Sequence, residues 1–131
     1  MHEELGHRDE VYAFILKHID SVPHLEALLL LWDSRPTPWS PADLAARLYI
    51  ETAAADRLLS DLVRQGLAAR SVDSGRASYR IPGSPDIDRI LPLVSEVYRR
   101  ELVSVSMLIH SKASSAVRDF AKAFRFKKEE E

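Results

Sequence analysis

The stretch Pro41 to Leu67, PADLAARLYIETAAADRLLSDLVRQGL, decides how this chain folds. Ser40 is a good N-cap, Pro41 is tolerated at the first helical position because its missing N–H would be unpaired there anyway, and Asp43 can answer the cap. A helix therefore starts at Pro41. Leu44, Ala45 and Leu48 fall on one stripe; Tyr49 and Ile50 interrupt it, and Thr52 opens a second helix that Gly66 stops. The spacing predicts a helix-turn-helix. In the second helix Ala55, Leu59, Leu62 and Val63 recur at helical spacing toward a core, while Ala53, Asp56, Arg57, Ser60 and Arg64 point away, together with Asp61. The outward face is a candidate reading surface.

Residues Ala68 to Asp73 read as a strand, Ser74-Gly75 as a turn, and Arg76 to Ile81 as a returning strand in which Ser78 and Arg80 alternate with Tyr79 and Ile81. Trp39, just ahead of the first helix of the pair, fits a short strand with its indole under the hairpin. The order Leu48, Tyr49, Ile50, Leu59, Leu62, Gly66-Leu67, followed by this hairpin, resembles the MarR-like winged-helix regulators of bacteria over residues 24 to 82. The chain as a whole resembles uncharacterised bacterial winged-helix proteins. This resemblance implies a hairpin that acts as a wing, and a fold that is mainly α with a small β-hairpin.

The flanks supply the remaining helices. Val11, Phe14, Ile15, His18 and Ile19 form an apolar stripe, which predicts an amphipathic N-terminal helix over 8–20 behind a frayed polar start. Asp20 and Ser21 can cap the next helix, Pro23 suits its first turn, and LEALLLLW is apolar on nearly every side. That helix should be the central core element. Asp33 to Pro38 reads as a loop and Pro82-Gly83-Ser84-Pro85 as a hinge. From Pro85, Ile87, Leu91, Val94, Tyr98, Leu102, Val105 and Ile109 recur at alternating three and four spacing, predicting one long helix of about 24 residues, or 36 Å, bent near Pro92. A break at Ser111 to Ser115, a short helix carrying Val117, Phe120 and Phe124, and a disordered tail over 127–131 should follow. The expected organisation is a single winged-helix domain over 1–131: the N-terminal helix, the core over 21–82, and C-terminal helices over 84–126.

Composition sets outer limits. The chain has 131 residues, no cysteine and a net charge of −2. This length is enough to bury a core, and disulfides, thiol catalysis and cysteine-ligated zinc are excluded. The near-neutral charge argues against coating nucleic acid by bulk charge, so any DNA site must be local. Arginine outnumbers lysine, which suits phosphate and guanine contacts but is equally a mark of a G+C-rich genome. The apolar run Leu25 to Trp32 is too short to span a bilayer, and the acidic start MHEELGHRDE is unlike a signal, so a soluble, cytoplasmic protein without membrane insertion is expected.

No motif carries catalysis. The five histidines show no paired ligand spacing, so no metal or other cofactor is expected, and each of the four glycines reads as a turn or stop residue, none in a phosphate-cradling loop. Glu96 and Glu101 beside Arg99 and Arg100 read as a salt-bridged solvent face. The chain should not be an enzyme.

Function rests on the two helices and the wing. Thr52, Ala53, Arg57, Ser60 and Arg64 are the expected major-groove residues, and Arg70, Arg76 and Arg80 on the hairpin the expected phosphate or minor-groove contacts. The reading is a duplex-DNA-binding transcription regulator acting as a homodimer. Asp56, Asp61 and the alanines arm this helix weakly, and winged helices also serve as protein-interaction modules, which is the alternative reading. A small-molecule effector, as MarR-like proteins bind, is left without a marker residue. Dimerisation is expected through Phe14, Leu91, Val94, Tyr98, Leu102, Val105, Ile109, Phe120 and Phe124, because the stripe from Ile87 to Ile109 exceeds what so small a domain should cover itself.

Overall fold

The computed structural model describes residues 2–113. The predicted helix over Val117 to Phe124, with Phe120 and Phe124, and the 127–131 tail lie outside them. Helices α1 (His2–His18), α2 (Val22–Asp33), α3 (Pro41–Leu48) and α4 (Thr52–Arg64) precede strands β1 (Ala69–Asp73) and β2 (Arg76–Arg80); α5 (Pro85–Arg100) follows. A further helix, α6, covers 102–113. The first helix begins at His2, ahead of the predicted boundary, so the polar start is helical, and Gly6 lies within it instead of at a turn.

Local chemistry explains the boundaries. The Ser21 side chain caps α2 by accepting from the His24 backbone N–H, and Ser40 caps α3 by accepting from that of Asp43, each with proline in the first turn. Ser84 holds the N-cap position of α5 without a side-chain bond. Two helices end in the same Schellman-type geometry. In α4, Gly66 turns left-handed (φ 75°) and Leu67 N–H donates to the Leu62 carbonyl; in α3, Tyr49 does so (φ 57°) and Ile50 N–H donates to the Ala45 carbonyl. The wing is a two-residue hairpin whose Ser74 (φ 53°) and Gly75 (φ 78°) are both left-handed, the backbone that follows strand twist. Trp39 contributes a single antiparallel bridge to Tyr79, with N–H···O bonds of 2.8 Å in both directions, and its indole N–H donates to Ser34 Oγ.

Helix α2 is the hub. Its Leu25, Ala27, Leu28, Leu29, Leu31 and Trp32 are buried, and it packs against α3, α4, α5 and β2. Val11 and Ile15 of α1, Ile19 just after it, Leu44 and Ala45 of α3, and Ala55, Leu58, Leu59 and Leu62 of α4 complete the winged-helix side of the core. In α4, Ser60 is exposed. Leu62→Ala should therefore cost about 2–5 kcal/mol and Ser60→Ala under about 0.5 kcal/mol in urea unfolding; equal costs would mean that α4 is rotated.

The long C-terminal helix is two helices. Helix α5 passes through Pro92 and stops at Glu101 (φ −127°, ψ 47°), and α6 continues through residue 113, where a break over 111–115 was expected. The cause is tertiary. Glu101 pairs with Arg8 of α1 at 2.9 Å and accepts from the Tyr12 hydroxyl, while Lys112, about three turns along α6, donates to the Ile19 carbonyl and to Asp20. Turning the chain at Glu101 lays α6 along α1 and buries Val105 and Ile109 completely. Arg100 bridges Glu96 at 3.1 Å, as the charge pattern predicts, but Glu101 serves α1 instead.

Four residues expected at a partner interface therefore belong to the protomer's own core: Leu91, Val94, Val105 and Ile109. Folding α6 back covers a stripe that one straight helix would have left bare. Phe14 is half-buried with its ring 5.0 Å from that of His18, and the Tyr98 hydroxyl reaches Glu26. Leu102 stays exposed, and so do Val103 (70%), Met107 (65%) and Leu16. Arg89 reaches across from α5 to Glu10 on α1 at 2.5 Å and holds that carboxyl below the usual carboxylate range. This link is complete above the ordinary glutamate pKa and is lost only as pH falls through the lowered one.

Candidate nucleic-acid interface

Helix α4 presents two faces. Ala55, Leu58, Leu59 and Leu62 fix it to α2 and α3, which leaves Thr52, Ala53, Asp56, Arg57, Ser60 and Arg64 in solvent. Five of these are the predicted reading residues, and they share one surface. Glu51 holds the N-cap position of α4 without a side-chain bond.

The charges on this surface are arranged less simply than the periodicity implied. Asp61, expected to face outward, is half-buried and turned to α2: its Oδ2 lies 2.8 Å from His24 Nε2, and its Oδ1 accepts from Arg64. His24 is anchored in turn by Ser21 Oγ at its Nδ1. Arg64 is thus exposed but already ion-paired. Next along, Gln65 Oε1 lies 3.0 Å from His18 Nδ1 of α1. The C-terminal end of α4 is tied to α1 and α2 through these two histidines. Arg57 makes no ion pair among the described residues.

The wing arginines do not form one patch. Register pairs Ala69 with Arg80, Arg70 with Tyr79, Ser71 with Ser78, Val72 with Ala77 and Asp73 with Arg76. Paired residues share a face and successive residues alternate, so Arg76 and Arg80 lie on one face and Arg70 on the other, beside buried Tyr79. Arg80 donates to Ser71 Oγ at 2.8 Å. Arg76, next to the turn and opposite Asp73, is exposed and makes no ion pair among the described residues.

Two clefts lie beside the helices of this region. One, about 450 Å³, lies among α1, the end of α4 and the start of α5, with an apolar floor of Phe14, Leu67, Ile87 and Ile90 under a rim that includes Glu10, Lys17 and Arg89. The other, about 540 Å³, lies beside α3 and is lined by Thr37, Pro38, Trp39, Asp43, Ala46, Arg47 and Tyr49. Tyr49 is 95% exposed. In the sequence it interrupts the α3 stripe and falls within the winged-helix order, and neither feature marks its exposure.

The order of elements, the bridge from Trp39 to the hairpin and the placement of α4 against α2 together define a winged helix-turn-helix. The structure is similar to HlyU from Vibrio cholerae N16961, with a TM-score of 0.55 and 22% identity, covering 70% of this chain and 95% of that one. It has the MarR-type winged-helix fold. A MarR family protein from Bacillus stearothermophilus gives a TM-score of 0.53 at 20% identity, covering 96% of this chain and 85% of that one. Staphylococcus aureus MepR, in a structure of its complex with DNA, gives 0.52 at 16% identity, covering 99% and 94%. No protein-family model matches the sequence, and no curated protein does. Among the described residues no helix is long and apolar enough to cross a membrane, and no group of three or more histidine or acidic side chains could hold a metal ion.

Proposed function

We propose that this chain is a transcription regulator that binds duplex DNA as a homodimer, with α4 entering the major groove and the wing lying along the backbone. The observation that supports it best is the division of α4: one face is fully committed to the core, and the other offers Thr52, Ala53, Arg57, Ser60 and Arg64 to solvent. The DNA-bound state of MepR, a protein of the same fold, supports the reading further. Arg57 is the base-reading candidate because it carries no intramolecular ion pair, and Arg76 is the backbone candidate because it projects beside the hairpin turn. Arg64 contributes less, since Asp61 neutralises it. Arg70 and Arg80 are secondary, one on the opposite face of the hairpin and the other bonded to Ser71.

A second protomer would cover Leu16, Leu102, Val103 and Met107, the exposed apolar side chains of α1 and α6. The test is titration of labelled duplex pools at low salt. Enrichment of a palindrome is expected; affinity no better than about 10⁻⁴ M, the weak end of non-specific binding, would leave the protein-interaction reading in its place. Arg57→Ala should blur sequence preference, whereas Arg76→Ala should weaken all sequences alike.

A further inference from the structure

The helix-turn-helix is closed by a residue whose backbone and side chain ask for different things. Tyr49 adopts φ 57°, ψ 45°, a left-handed conformation that glycine or asparagine takes far more readily. At the end of α4 the same 6→1 closure is made by Gly66. Tyrosine at position 49 is therefore a local cost, and its side chain returns nothing to the fold. It is 95% exposed, and its hydroxyl makes no hydrogen bond among the described residues. Outliers of this kind mark sites where a side chain acts on something outside the chain.

Its neighbourhood indicates what that is. Arg47, two residues earlier, is exposed, makes no ion pair among the described residues and lines the same cleft. Arg47 lies in the last turn of α3 and Tyr49 is its C-cap, on the short connection that leads into the exposed N-terminal end of α4. A guanidinium and a phenolic hydroxyl presented together suit a phosphate oxygen, and a tyrosine ring can lie against the adjoining sugar. Asp43, one helical turn before Arg47, also lines the cleft and would repel an anion that entered it, so the phosphate belongs at the Arg47 and Tyr49 rim.

We propose that Arg47 and Tyr49 form a backbone anchor that grips a phosphate of the bound duplex beside the groove that α4 enters. The inference rests on the DNA-binding reading above. It adds a contact that lies outside both the recognition helix and the wing, and it fixes the angle at which α4 meets the duplex.

The experiment is equilibrium titration of a labelled duplex pool at several salt concentrations, with thermal melting of each variant as the folding control. Tyr49→Gly should melt no lower than the native chain yet bind at least about tenfold more weakly, and Tyr49→Phe should lose about three- to tenfold. Arg47→Ala should flatten the log–log salt slope by about 1.8, one phosphate contact per protomer. Asp43→Asn should bind more tightly. Native chain that binds duplex while Tyr49→Gly and Arg47→Ala bind equally well would overturn the anchor and leave the regulator reading intact. A lower melting point for Tyr49→Gly would also overturn it, because the side chain would then be structural. Failure of the native chain to bind any duplex would remove the DNA reading and the anchor with it.

Discussion

Raising salt from 50 to 200 mM should weaken duplex binding by about 150-fold if Arg57 and Arg76 of two protomers are the cationic contacts that displace counterions from the duplex. Four contacts give a log–log slope near −3.6. Adding Arg47 from each protomer makes about six contacts, a slope near −5.4 and a loss above about a thousandfold. The slope therefore counts the arginines. Arg64 is left out because Asp61 already holds it, and that exclusion is itself testable. Asp61→Asn should release Arg64, raise affinity at low salt and steepen the slope by up to about 1.8. An Asp61→Asn protein with unchanged slope would mean that Arg64 does not face the duplex even when freed. Arg57→Glu should abolish binding; indifference to it would take α4 out of the mechanism.

Val105→Asp should unfold the protein, whereas Val103→Asp should leave it folded and dissociate the proposed homodimer. Val105 is 0% exposed in the seam that α6 makes with the rest of the core, and an unpaired carboxylate there costs several kcal/mol, a large share of the about 5–15 kcal/mol that holds a domain together. Val103 is two residues away and 70% exposed, and a substitution at such a site shifts monomer stability by only about 0.5 kcal/mol. Urea unfolding combined with sedimentation separates the two effects. If Val103→Asp sediments like the native chain, the exposed α6 face is not the dimer interface. If Val105→Asp keeps its unfolding midpoint, α6 does not pack on α1 as described.

The contrast between these valines shows what a sequence does and does not contain. Ser40-Pro41, the left-handed stop at Gly66, the Ser74-Gly75 turn and the alternation in β2 are set by backbone chemistry within a few residues, so the helix-turn-helix and the wing were legible directly. The inward face of α4 was legible for the same reason, because a helix of known phase has only one apolar side. The C-terminal half was not. Residues 99–103, RRELV, carry no proline or glycine and their apolar spacing continues unbroken, so local rules demand one long helix. At the corner Glu101 meets Arg8 and Tyr12, some ninety residues earlier, and the turn there lets α6 bury Val105 and Ile109.

The same limit applies to the candidate site. Periodicity placed Arg57, Ser60 and Arg64 on the exposed face, but it could not show that His24 turns Asp61 toward α2 and so neutralises Arg64, a link across 37 residues. It counted three arginines on the wing, yet strand register divides them between two faces. The sequence by itself determined the helix-turn-helix, the wing and which way α4 faces, because these follow from hydrogen bonding and side-chain period over a few residues. The tertiary structure alone decided where α6 folds back, which arginines keep a free charge and that Tyr49 stands unsupported in solvent, because each depends on groups that meet only when distant helices pack.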